Sequence, residues 1–199
     1  MSSASYPRRQ LGRRLVRGLE HAGLALAGLL LAVLAVSAGL SILAALLVLL
    51  SLVGAVRSRY WWRLAHRSAV GARSEQQVRA KLGRLEWNGW RIRHSLRWIG
   101  GGDIDHLAIA PGPRGLVFAI ETKTRTYSPG DLARISSVAR WQDQRRVPWR
   151  RGGAIPVLCL AGARGIERWE GGVAVVSLDR LLALMSRLAG TTRKPAFLR

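Results

Sequence analysis

The chain has 199 residues, enough for one domain and an appendage, and it carries a formal charge of +21 with a single cysteine, Cys159. One cysteine excludes a disulfide framework and a Cys-rich zinc site, and the four histidines (21, 66, 94 and 106) show no metal-ligand spacing. The charge excess favours polyanionic partners, either nucleic acid or anionic lipid headgroups, without separating the two.

Residues 1–21 form a basic arm with Arg8, Arg9, Arg13, Arg14 and Arg17. From Ala22 to Val56 there is no charged residue, and the only polar side chains are Ser37, Ser41 and Ser51. That run passes the length threshold for a transmembrane span. Val36-Ser37-Ala38 resembles a signal-peptide cleavage site, but the apolar run continues well past it, which favours a retained anchor. One straight helix would reach about 50 Å, against about 30 Å of hydrocarbon. Two helices turning near Ser37-Ala38-Gly39 are the alternative. Basic flanks on both sides, with Arg57, Arg59, Arg63 and Arg67 after the run, favour this hairpin with both ends cytoplasmic, at the inner membrane. Tyr60, Trp61 and Trp62 fit an interfacial aromatic belt, and residues 57–70 read as a basic juxtamembrane connector.

A soluble domain is expected over residues 71–190, followed by a basic tail at 191–199. Glu75 to Leu85 reads as a helix, with Val78, Leu82 and Leu85 at helical spacing. Ser74 is its expected N-cap, and Gln77 completes a capping box. Trp90 to Trp98 reads as a strand or strand pair, and Gly100-Gly101-Gly102 as a turn. Strands at 104–110 and 116–122 are joined across Pro-Gly-Pro-Arg-Gly (111–115), and Pro129-Gly130 precedes a helix from Asp131 to about Arg145. Residues 155–160 and 173–177 are two more apolar strands, and Asp179 caps a last helix through Leu188 that Gly190 stops. This alternation indicates an α/β fold around a central mixed sheet.

The chemistry concentrates at Glu121-Thr122-Lys123, at the end of the apolar run 116–120 and sixteen residues after Asp105. In a strand, residues i and i+2 share a face, so Glu121 and Lys123 project together. A hairpin across 111–115 brings Asp105 towards them if the register is favourable. Asp105 and Glu121, with the Thr122 backbone carbonyl as a third donor, supply hard oxygens for Mg²⁺ or Mn²⁺. Lys123 would orient water or stabilise charge, and Glu75, on a helix packed against the sheet, adds a further carboxylate. Such a set is suited to phosphodiester hydrolysis. His106 alternates away from Asp105 and reads as structural. Arg140, Arg145, Arg146, Arg150 and Arg151, interleaved with Trp141 and Trp149, are candidates for nucleic-acid backbone contact, with a solvated basic helix end as the plain alternative.

Three blocks, Gly71-Ala72-Arg73-Ser74-Glu75, Asp103-Ile104-Asp105-His106-Leu107 and Gly115 to Lys123, together resemble the nuclease-related domain, NERD, of the PD-(D/E)xK nuclease-like superfamily. The resemblance covers roughly residues 69–188. It implies a restriction-endonuclease-like mixed sheet flanked by helices, with an αβββαβ core. It also assigns Glu75 to the helix glutamate, Asp105 to the metal-binding aspartate, and Glu121 with Lys123 to the E-x-K pair. The activity so implied is Mg²⁺- or Mn²⁺-dependent cleavage of nucleic acid, DNA first, by a membrane-tethered protein. Enzymes of this superfamily often form homodimers. A silent nucleic-acid- or partner-binding module at the membrane is the competing function. The helix after the E-x-K strand offers only Gln142 and Gln144 for the glutamine that related families carry there.

Overall fold

The computed structural model describes residues 6–98, 102–112, 115–144 and 153–190. The elements run α1 (Tyr6–Ser37), α2 (Ser41–Glu86), β1 (Arg91–Arg97), β2 (Asp103–Ile109), β3 (Val117–Lys123), α3 (Pro129–Gln144), β4 (Ala154–Leu160), β5 (Glu167–Glu170), β6 (Val173–Ser177) and α4 (Leu178–Gly190). The chain divides into two compact units, Met1–Ala72 and Arg73–Arg199, with the division inside α2.

In the first unit the apolar run is two helices rather than one. The break falls at Gly39, whose φ of +76° is costly for any residue with a Cβ. The facing sides are lined by small residues. Ala44, Ser51, Ser58 and Ala65 recur every seven positions on α2 and are buried, as are Ala25, Ala32 and Ala35 on α1. A seven-residue repeat keeps one seam facing its partner, and small side chains let the backbones approach. The approach is close: a Cβ on Gly54 would lie 3.2 Å from the Ala25 Cβ, and the Ser58 hydroxyl donates to the Gly18 carbonyl at 2.9 Å. Leu26, Leu30, Val33 and Leu34 of α1 and Ile42, Leu46 and Leu50 of α2 remain exposed. Both helices are long and apolar enough to cross a membrane.

Residues 57–70 are helical and belong to α2, and one expectation for this stretch is corrected: Ser74 is not an N-cap, because α2 passes through it. No proline interrupts the helix between Ser41 and Glu86, so nothing stops propagation until Trp87-Asn88-Gly89. There Gly89 takes a φ of +77°, and the Trp90 amide reaches back to the Leu85 carbonyl, a left-handed C-terminal cap. The Ser74 side chain instead lies 3.2 Å, oxygen to oxygen, from the Thr124 hydroxyl.

The second unit is a mixed six-stranded sheet in the order β1-β2-β3-β4-β6-β5 between helices. β1, β2 and β3 are antiparallel neighbours, whereas β3, β4 and β6 run parallel. Every residue of β4 is buried, as a strand covered on both faces requires. One face packs on Val78, Leu82 and Leu85 of α2 and Leu181, Leu184 and Met185 of α4. The other packs on Ile135, Val138 and Ala139 of α3. Burial of each of these Val, Leu, Ile and Met side chains stabilises the fold by roughly 1.5–3 kcal/mol. The arrangement through β4 is the expected αβββαβ core. β5 was not expected, since Glu-Arg-Trp-Glu is polar, but charged residues suit a short edge strand. α3 starts at Pro129 rather than Asp131. Proline at a first helical position gives up an amide that has no partner there in any case.

Candidate active site

The site forms where β2 and β3 part. Their ladder ends at His106↔Ile120, so the next residues outward are Asp105 and Glu121, cross-strand neighbours. Past this rung the Thr122 amide donates not to the β2 backbone but to the Asp105 carboxylate, at 2.8 Å. In an extended strand a residue's N–H and C=O point to the same edge, so the Thr122 carbonyl lies on the Asp105 side. Ser95 adopts a φ of +52° in β1, opposite the point where the β1–β2 register skips Asp105.

Glu121 is buried, and its Oε1 accepts from Arg134 Nη1 at 2.7 Å, with Lys123 Nζ at 3.5 Å. Lys123 sits closer to Asp131, at 2.7 Å. Asp131 is fixed in turn by Ser128, whose amide and hydroxyl both donate to its Oδ2 at 2.8 Å. Ser128-Pro129-Gly130-Asp131 is therefore a capping box, and it starts α3 beside the end of β3. One turn further on, Arg134 also donates through Nη2 to the Asp103 carbonyl at 2.6 Å, tying the start of β2 to Glu121.

Charge and burial oppose one another here. Burial pushes the Asp105 carboxyl well above its usual range, and the charges of Glu121 and then Glu75 push it further. The Thr122 amide and Arg134 only partly offset this. Burial also raises Glu121, against the pull of Arg134 and Lys123. For Lys123, burial works against the ammonium, but the Asp131 hydrogen bond and the charges of Glu121 and Asp131 outweigh it and hold the side chain above its ordinary value. Asp131 resists burial through its bonds to Lys123 and Ser128 and stays below its ordinary value.

Asp105, Glu121 and Lys123 thus come together, and Glu75 on α2 is near enough for its charge to act on Asp105. Among the described residues, no three His, Cys, Asp or Glu side chains gather closely enough to hold a metal ion by themselves. The donor chemistry nevertheless suits a hard divalent cation. Mg²⁺ typically uses one or two carboxylates and keeps several waters, and the carboxyls of half-buried Asp105 and buried Glu121, beside a backbone carbonyl, fit such a set.

Sequence reasoning missed Asp131 and Arg134. The Ser-x-x-Asp spacing with proline at the first helical position was the available signal. His106 lies on the opposite face, its Nδ1 2.7 Å from Nδ1 of His94. Burial holds both imidazoles down, with Arg79 adding to this: His94 falls to about 4, and His106 to about 3 with the His94 charge contributing. Cys159 is buried, and burial pushes its thiol up to about 12, so it is no nucleophile. Arg140 is exposed on α3 and donates to the Ser137 hydroxyl, whereas Arg145, Arg146, Arg150, Arg151 and Trp149 lie outside the described residues. Gln142 is buried on α3. A concavity of about 510 Å³, lined by Gly89, Arg91, Ile109, Ala110, Pro111, Gly112 and Gly115, lies at the far end of β2 from Asp105 and is separate from this cluster.

Residues 70–153 match the family model described as Nuclease-related domain, NERD. The match opens on the last turns of α2, takes in β1 to α3 with Glu75, Asp105, Glu121 and Lys123, and ends just before β4. No curated protein and no solved structure matches the chain.

Proposed function

We propose, from the premise that residues 70–153 form a nuclease-related domain, that this protein is a divalent-metal-dependent nuclease acting on nucleic acid, DNA first. In this reading the α1–α2 hairpin tethers it to the cytoplasmic membrane, with the catalytic domain on the cytoplasmic side. The observation that carries the reading is the carboxyl pair, half-buried Asp105 and buried Glu121 on neighbouring strands, with the Lys123 ammonium alongside. Asp105, Glu121 and the Thr122 carbonyl would hold Mg²⁺ or Mn²⁺, with Glu75 acting on Asp105 from α2. When bound, the ion would supply Lewis acidity at a phosphoryl oxygen and make water more acidic.

The chain's own groups divide the remaining work. Lys123, kept protonated by Asp131 and Glu121, serves as a hydrogen-bond donor and charge stabiliser for the phosphorane rather than as a base. Asp131 acts through Lys123 by fixing where the ammonium sits. The basic surface, Arg140 included, would draw in the polyanion, and a homodimer would present two such sites. A second reading, a silent nucleic-acid-binding module, is favoured by one observation: Arg134 already occupies the Glu121 oxygen.

The deciding experiment incubates the full chain, in detergent micelles, with plasmid and with single-stranded DNA and RNA under Mg²⁺ or Mn²⁺. Cleavage is expected that EDTA abolishes and that Asp105→Ala and Lys123→Ala each reduce at least ~100-fold, as loss of one charge-stabilising group does. Binding at wild-type affinity with no cleavage under any metal condition establishes the second reading instead.

A further inference from the structure

We infer that Arg134 is the resident counter-cation of the site: it occupies the Glu121 oxygen that a divalent ion needs, and it passes to a substrate phosphate when the site loads. This rests on the nuclease reading above. Glu121 Oε1 is held by Arg134 Nη1 at 2.7 Å, and the second guanidinium nitrogen spans to the Asp103 carbonyl at 2.6 Å. Arg134 therefore bridges the two strands on which the carboxyl pair sits.

The two partners differ in freedom. The Glu121 side chain is 7% exposed and the Arg134 side chain 33%, so the arginine has a solvent-side path and the glutamate has none. Lys123 is not the exchanging group, because Asp131 anchors it at 2.7 Å independently of Glu121. A guanidinium presents a planar fork that fits phosphate as well as carboxylate, so Arg134 exchanges one oxyanion for another without losing its charge-assisted bonds.

The consequence is linkage. Arg134 competes with a divalent cation for Glu121 but is attracted to a phosphodiester. Cation and nucleic acid must then bind with positive coupling, and the coupling is reciprocal. Arg134 thus acts through Glu121 in the unloaded site and on the phosphate itself in the loaded one. A purely structural clamp would have the opposite signature, because removing it would disorder Glu121 and weaken metal binding.

The test titrates Mn²⁺ into the full chain in detergent micelles and follows the free ion by electron paramagnetic resonance. Wild type, Arg134→Gln and Arg134→Lys are compared with and without a phosphorothioate oligonucleotide, which resists cleavage. Without the oligonucleotide, Arg134→Gln is expected to bind Mn²⁺ up to about fivefold more tightly than wild type, the scale of one partly exposed ion pair. The oligonucleotide should tighten Mn²⁺ binding to wild type by a similar factor and leave Arg134→Gln unchanged. Arg134→Lys keeps the charge and covers the case in which the glutamine variant fails to fold, and it must retain the oligonucleotide-dependent tightening. Unchanged or weaker Mn²⁺ binding in a folded Arg134→Gln, or loss of the tightening in Arg134→Lys, overturns the inference. If wild type binds Mn²⁺ and cleaves yet the variants fail in this way, only the role of Arg134 is lost. If wild type binds no Mn²⁺ at all, the nuclease reading falls with it.

Discussion

Asp105→Asn separates catalytic use of the carboxylate from its structural cost. In its ionised form the half-buried Asp105 carboxylate is opposed by Glu121 and Glu75. Cross-strand neighbours have Cβ atoms about 5 Å apart, and two like charges at that distance repel by about 3 kcal/mol at an effective dielectric of 20. Asparagine removes that repulsion but keeps an oxygen for the Thr122 amide. The bond it makes is neutral rather than charge-assisted, a loss of about 1 kcal/mol. The attraction to Arg134 is also lost, at a similar scale. The net is a gain of about 1 kcal/mol, or a rise in Tm of about 2–4 °C for a chain of this size. Thermal unfolding of the full chain in micelles at pH 8 with EDTA reads this directly. Adding Mg²⁺ should then raise the wild-type Tm and leave Asp105→Asn unmoved, while cleavage is lost. A fall in Tm of several degrees in EDTA would refute the reasoning, because it would mean the carboxylate holds β2 to β3 more strongly than Glu121 repels it.

Two further outcomes follow from strain and from protonation. Ser95 carries a φ of +52°, which costs an L-residue roughly 1–2 kcal/mol, so Ser95→Gly should raise the urea midpoint and Ser95→Val lower it. A lower midpoint for Ser95→Gly would show that its side chain, not its backbone, matters there. His94 and His106 are held neutral in the fold, with values of about 4 and about 3 against an ordinary 6.5. The unfolded chain takes up protons that the native state refuses, so their contribution is complete above about pH 6.5 and is lost as pH falls towards 4. Most of the loss comes from buried His106, at about 1.4 kcal/mol per unit, and half-buried His94 adds less because solvent screens it. Urea unfolding from pH 7 to 4.5 should show this slope, and a His94→Gln/His106→Gln double variant should flatten it. Equal slopes would exclude the pair as the source.

Much of the fold was legible because it rests on local periodicity. The two faces of β3 follow from alternation in Val117 to Lys123, and the buried face of α4 from Leu181, Leu184 and Leu188. The site was legible in part for the same reason: Glu121 and Lys123 share a face by strand geometry alone. Where reading failed, the failing signal was a local one overridden by its neighbours. Ser74 and Gln77 have the spacing of a capping box, yet a helix already running from Ser41 has no free amides to cap there. Ser128 and Asp131 have the same kind of spacing and do cap a helix, because Pro129 begins one.

The sequence by itself determined the charge-free run, the E-x-K pair, the order of strands and helices apart from β5, and a surface suited to polyanions. These are properties of neighbouring residues and of summed charge, which no folding is needed to read. Only the tertiary structure decided which rung Asp105 shares with Glu121, that the ladder opens there so that its carboxylate takes the Thr122 amide, and that Arg134 and Asp131 divide the charge between them. Register and helix docking are set by packing between segments far apart in the chain, where a shift of one residue would turn each side chain to the opposite face.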